Sequence, residues 1–449
     1  MGVFGLAVTA ILGWLVLPRR LQANPIEGLC LGFALAVFGI SAEMFLFDLV
    51  GLGWNGWVIL APWVAGAAWL TGKRRPFLDL KLDAWQLAPA LAGLAVLGAW
   101  WPYERGMPLT SQTWDAWAIW LFKANAFYLD QGIDAYLARS AEFLGQPGYP
   151  LLTPLYATFL YQLEGGVSDQ LGKLTSPCFF VALLGSVHYL ARRIAGVVAA
   201  ALFTASVALT PLLSQVAFEL AGYADTALSV YMLLAGGFLY VWLREDSVVD
   251  LGAASIAATA AAWTKNEGQL FLAAVVAIIA IRLVRRHGHI SRWAWLAGPP
   301  LALLGPWSLV RMGQSVEASG FTLGADFQAA LFGTALSTML AKAFTLGSLN
   351  LAFVAVVAAS VAGILLKLQR SFWVVPGLVA WQFLGALLAY STGRNEIEWW
   401  LATSADRLLS QTAPLAILAA AIAYGLWIER LPVEVVPAPA PKSKKRRRR

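Results

Sequence analysis

Cysteine is nearly absent from this chain of 449 residues: Cys30 and Cys178 are the two present, each inside an apolar run. A disulfide framework is not indicated. Histidine is almost as scarce, with His188, His287 and His289, so no His/Cys metal constellation can be built. Charge is short as well. Charged residues make up 13% of the chain against 59% hydrophobic, and the mean hydropathy is +0.67. A chain of that composition could not cover itself with polar groups, which excludes a water-soluble globule and leaves a polytopic helical membrane protein. A glycine-rich nucleotide loop is missing. So are a fixed-period repeat and a matched pair of interrupted helices of the kind that marks many transporters.

The basic excess is local. Of 32 Lys and Arg residues, seven lie between Lys442 and Arg449, and the remainder balance the 25 acids. This argues against a nucleic-acid surface spread over the fold. The tail follows a proline-rich linker and reads as a cytoplasmic contact to anionic lipid, each basic residue contributing roughly 1 kcal/mol near such a surface. The first 17 residues are apolar but lack a basic leader and a small-residue cleavage pattern, so they are expected to be a retained span.

Apolar runs recur at 2–17, 27–50, 55–72, 85–101, 174–190, 195–213, 222–243, 250–264, 267–284, 294–311, 350–367, 371–391 and 408–427. With the N-terminus outside, the basic clusters at Arg19, Lys73, Arg192, Arg285, Arg370 and the tail all fall inside, as the charge rule for loops requires. The pattern predicts an all-α bundle of about 13 spans, with 149–163 and 325–347 as interfacial or re-entrant pieces that do not cross. Residues 1–84 would form three N-terminal helices, 85–431 the main module and 432–449 a linker and cytoplasmic tail. Asp115, Asp225, the Lys265-Asn266-Glu267 turn and the segment from Arg394 to Arg407 then emerge together on the outer side.

Thr113-Trp114-Asp115-Ala116-Trp117-Ala118-Ile119-Trp120-Leu121-Phe122-Lys123 is the most informative stretch. At helical period Trp117, Trp120, Leu121, Ala124, Phe127 and Tyr128 share a face, with Asp115 opposite, as expected of an interfacial helix. A carboxylate at that boundary suits a general base; it also suits a helix start stabilised by the macrodipole. Gly148-Tyr149-Pro150 through Pro154 should break regular helix and fix the loop against the bundle. Asp225 opens a span as cap or as site residue. Lys265 reads either as an anion ligand or as part of an ordinary turn. Gly305-Pro306-Trp307 should kink its helix. Arg407 reads as a phosphate clamp or as the partner of Asp406 or Glu398.

The order of these pieces, an acid in the first large outer loop, Tyr-Pro-Leu-Leu-Thr-Pro, Ala-Asp, Thr-Lys, Pro-Trp and a late Arg, resembles the GT-C superfamily of membrane glycosyltransferases, in its aminoarabinose transferase and protein mannosyltransferase-like branch. The likeness covers roughly residues 85 to 427. It implies a donor sugar on a polyprenyl phosphate, Asp115 as base, Lys265 on the donor phosphate and Arg407 beside it. Asp225, Glu267, Trp114, Lys123 and Tyr149 complete the expected substrate-binding set. The acceptor would be a glycan, lipid or protein, with no nucleic acid. The membrane would be the bacterial inner membrane, with the site on its outer, periplasmic face. No cofactor is expected. Asp115 is followed by Ala116 where the family carries an acidic pair, which leaves metal use open, and three spans precede the usual first helix. A transporter or flippase of lipid-linked substrate is the alternative, with Glu43 and Asp48 as its intramembrane acids.

Overall fold

The computed structural model describes residues 1–22, 24–73, 113–139, 146–314, 316, 327–345, 347–348, 351–392 and 396–431. The expected crossing at 85–101, Arg74, Arg75, Arg394, Asn395 and the basic tail lie outside them. Every regular element among the described residues is helical, so the chain is a helical membrane protein. Numbering the described helices in order gives α1 (Gly2–Val16), α2 (Pro25–Leu49), α3 (Gly56–Lys73), α4 (Leu121–Asp130), α5 (Asp134–Ala138), α6 (Leu152–Glu164), α7 (Asp169–Ala195), α8 (Val197–Ala208) and α9 (Pro211–Phe218). They continue with α10 (Asp225–Glu245), α11 (Val248–Thr264), α12 (Asn266–Arg285), α13 (Ile290–Gly313), α14 (Ala329–Ala343), α15 (Ala352–Leu365), α16 (Val374–Thr392) and α17 (Ile397–Ile428).

Among the described residues, α2, α7, α10, α12, the segment Arg370–Thr392 and α17 are each long and apolar enough to cross a bilayer, and α1, α11, α14 and α15 are shorter apolar helices. The expected crossing at 195–213 is not a single rod. It divides into α8 and α9, bent by 61°, because Pro211 cannot donate the hydrogen bond that would continue α8.

Local chemistry sets the helix starts. The Asn24 side chain accepts from Ile26 N (2.9 Å) ahead of Pro25 at the first position of α2, and Ser168 accepts from Leu171 N (3.3 Å) to open α7. Helix α10 is the axis of the bundle, with 94% of its apolar window buried inside the protein. Its 21 residues place Asp225 and Glu245 roughly 30 Å apart. The Glu245 end carries basic residues, several of them held by acids: Arg193 on Asp250 (2.6 Å) and Glu245 (2.8 Å), Arg192 and His188 on Glu27 (both 2.6 Å), and Arg292 on Asp246 (2.8 Å). The Asp225 end carries the site.

One expectation about that end is corrected. Residues 115–128 do not lie as one interfacial helix. A π-helical turn, Ala116–Trp120, precedes α4, and Trp120, Leu121, Ala124 and Phe127 are buried within the protein. These four belong to the face expected from helical period, and that face packs against the bundle. The Pro150–Pro154 segment, expected to fix its loop against the bundle, is packed inside the protein. Pro154 sits in the first turn of α6, where its missing N–H breaks nothing. Helix α6 is locked inside by Thr158 Oγ1 to Ala124 O (3.1 Å), Tyr156 Oη to Thr9 (3.1 Å) and Ser41 Oγ to Leu152 O (2.9 Å).

Candidate functional site

The site is assembled around the start of α10. The chain reaches it through Gly222 at φ +93°, and a Cβ there would stand 2.9 Å from the Ala116 Cβ. Glycine is needed twice over, for the left-handed backbone and for the approach of the π turn. Ser176 holds this turn, its Oγ accepting from Gly222 N at 2.9 Å. Tyr223 then presents its hydroxyl oxygen to the backbone N–H of Asp115 (3.2 Å). Two segments more than a hundred residues apart are thereby pinned together.

Asp225 is completely buried. Its Oδ1 accepts from Lys265 Nζ (3.0 Å) and Gln411 Nε2 (2.6 Å). Its Oδ2 faces Arg407 at 3.7 Å, too far for a hydrogen bond. Arg407 reaches past it to Asp115 Oδ2 while its Nε bonds Thr403 O (3.1 Å) and its guanidinium lies 5.1 Å from the centre of the Tyr223 ring. Helix spacing explains the pairing, since Arg407 and Gln411 are one turn apart on α17 and meet α10 on the same face. Asp406 and Glu398 do not take Arg407; Asp406 instead pairs with Lys342 (2.6 Å).

Lys265 occupies the extended link between α11 and α12, a hairpin so close that a Cβ on Gly268 would be 1.9 Å from Ala261 O. Its ammonium also pairs with Glu267 (3.1 Å). Burial opposes that charge, but Asp225 and Glu267 outweigh it and raise the pKa above the ordinary lysine value.

Tyr149 stacks on Trp120 (centroids 5.5 Å) and lies within the fields of Glu267, Lys265, Asp115 and Arg407. Burial, reinforced by Glu267, pushes its phenol up to about 12. The structure thus brings together Asp115, Asp225, Lys265, Glu267, Arg407 and Tyr149 from among the expected set. Two others stand apart. Trp114 is exposed and packs edge-on against Trp117 (4.5 Å). Lys123 is fully buried beneath the Tyr149 loop, donating to Gln146 O at 2.7 Å.

Three carboxylates face two cations in this cluster, a formal charge of −1. Lys265 and Arg407 are therefore already neutralised, and a phosphate there would compete with acids for both. The neighbouring cations differ. Among the described residues Lys123 bonds only backbone carbonyls, and the buried Arg311 Nε has no hydrogen-bond partner. The Arg311 charge and, more strongly, burial hold the Lys123 amine well below its ordinary pKa. Arg311 lies one turn beyond Trp307, which packs on Trp263 (5.8 Å), two residues before Lys265. Sequence reasoning passed over Arg311, Tyr223 and Gln411. For Gln411 the one-turn spacing from Arg407 was a usable signal; for Arg311 it was a cation near the end of an apolar run.

Among the described residues no group of three His, Cys, Asp or Glu side chains could hold a metal ion. No family model matches the chain, and neither does any curated protein or solved structure.

Proposed function

We propose that the protein is a GT-C-like membrane glycosyltransferase that moves a sugar from a polyprenyl-phosphate donor to an acceptor hydroxyl at the outer membrane face, with about 13 spans and a cytoplasmic tail. The observation that carries this reading is convergence: five charged side chains from four separate parts of the chain meet at one end of the bundle instead of stringing across it.

Asp115 Oδ2 is engaged by Arg407, and Oδ1 makes no hydrogen bond to any described residue. The free oxygen takes the proton of the acceptor hydroxyl. The acceptor oxygen attacks the anomeric carbon in line, and the bond to the phosphate oxygen breaks with its electron pair leaving on the lipid phosphate. Asp225, Gln411 and Lys265 hold Arg407 and Asp115 in place, a preorganised arrangement that favours the charge of the transition state. The phosphate is assigned to Arg311, which pairs with no carboxylate among the described residues.

The test is to supply purified protein in lipid with extracted polyprenyl-phosphate sugars and to determine the anomeric configuration of the product. Transfer with inversion supports the mechanism. Retention would contradict it, and transfer from no donor would favour a flippase. One feature speaks for that second reading: the Glu27, His188 and Arg192 cluster is buried at the opposite end of the bundle. Against it, the two acids expected to serve transport are each engaged elsewhere, Glu43 by Trp63 (2.9 Å) and Asp48 by Ile133 N (3.2 Å), and neither pairs with a member of either cluster.

A further inference from the structure

At the basic end of the bundle, far from Asp225, an apolar cavity of about 210 Å³ opens between the α1–α2 turn, α10, α11 and α13. Leu17, Leu21, Phe38, Phe238, Ala253 and Trp295 are among the residues that line it. Every lining side chain is apolar or aromatic, and the Tyr231 hydroxyl among them is already donated to Ala34 O (2.8 Å). A water inside would lack the two to four partners it requires, whereas apolar cavities of about 150 Å³ accept a hydrocarbon the size of benzene. In a protein surrounded by lipid the available hydrocarbon is an acyl chain.

The rim says which lipid. Pro18 and Leu21, which line the cavity, flank the exposed Arg19 and Arg20. Arg20 is held by Glu245 and Asp250, while Arg19 makes no ion pair with a described residue. Trp295 is 37% exposed at the mouth, the placement an indole takes at a headgroup boundary. We propose that this cavity is a binding site for one acyl chain of an anionic phospholipid whose phosphate rests on Arg19. The lipid bridges the α1–α2 turn to α11 and α13.

The test uses the full chain in nanodiscs containing phosphatidylglycerol with a diazirine in one acyl chain, followed by peptide mapping. Label is expected on residues 17–21, on the first half of α11 and at Trp295. Ala253→Phe, which fills the cavity, should lose that label while remaining folded. Arg19→Gln should keep the label but lose the preference for phosphatidylglycerol over phosphatidylcholine of the same chains. Wild-type label spread evenly over the lipid-facing helices, or equal labelling by the two headgroups, would overturn the proposal. The wild-type map decides even where Ala253→Phe fails to fold.

Discussion

Asp225→Asn separates a structural anchor from a reacting group. The wild-type carboxylate is fully buried and takes a hydrogen bond from Lys265 at 3.0 Å, another from Gln411 at 2.6 Å, and the field of Arg407 at 3.7 Å. Asparagine keeps the shape and one acceptor oxygen but removes the charge. Lys265 retains Glu267 and Arg407 retains Asp115, so the loss should sit at the lower end of the range for breaking a buried ion pair, about 3 kcal/mol. Asp115→Asn removes a partly exposed partner of Arg407 and should cost about 1 kcal/mol or less. Unfolding by SDS titration in mixed micelles measures both. A cycle with Lys265→Met should then show that Asp225→Asn loses most of its effect once Lys265 is gone. Equal destabilisation by the two Asp substitutions, or strict additivity with Lys265→Met, would refute Asp225 as the electrostatic anchor.

Further outcomes follow from single positions. Gly222→Ala forces a side chain into a left-handed backbone 2.9 Å from Ala116; it should cost at least about 1 kcal/mol in the same titration and depress activity by displacing Asp115. Lys123→Met should stabilise the protein near neutral pH. The Lys123 pKa is lowered on folding, so the unfolded chain binds the extra proton between the folded value and about 10.5. Wild-type stability from this group therefore rises with pH through that window, and the advantage of Lys123→Met should shrink across it. An advantage unchanged with pH would contradict the buried amine. Arg311→Gln should raise KM for a lipid-phosphate donor by about tenfold or more, the scale of a lost charged hydrogen bond, with a smaller change in kcat; an unaltered KM would return the phosphate to Lys265 and Arg407.

Much of this arrangement can be read from the chain because charge is rare in it. Asp115, Asp225, Lys265 and Arg407 stand out at the edges of apolar runs, and positive-inside counting puts them on one side. Their convergence is what an apolar environment demands of opposite charges with no water to solvate them. What escapes the sequence is register. Nothing in Ala116-Trp117-Ala118-Ile119-Trp120 announces a π turn, and nothing in the period of the following helix says that its apolar face and Lys123 meet protein instead of lipid. Hydropathy likewise cannot distinguish a lipid-facing run from the interior of α6, since both environments are apolar. The bend between α8 and α9 was signalled by Pro211 but hidden inside a continuous apolar stretch. Arg311 reads as an ordinary end-of-helix cation until the structure shows that no described acid pairs with it.

Whether Asp115 accepts the acceptor proton is measured most directly by transfer of radiolabelled sugar from a polyprenyl-phosphate donor by wild type and Asp115→Asn in the same lipid. A folded Asp115→Asn protein should still bind the donor and lose transfer by about 10²-fold or more, the scale of a missing general base. Transfer at the wild-type rate by Asp115→Asn would contradict that role.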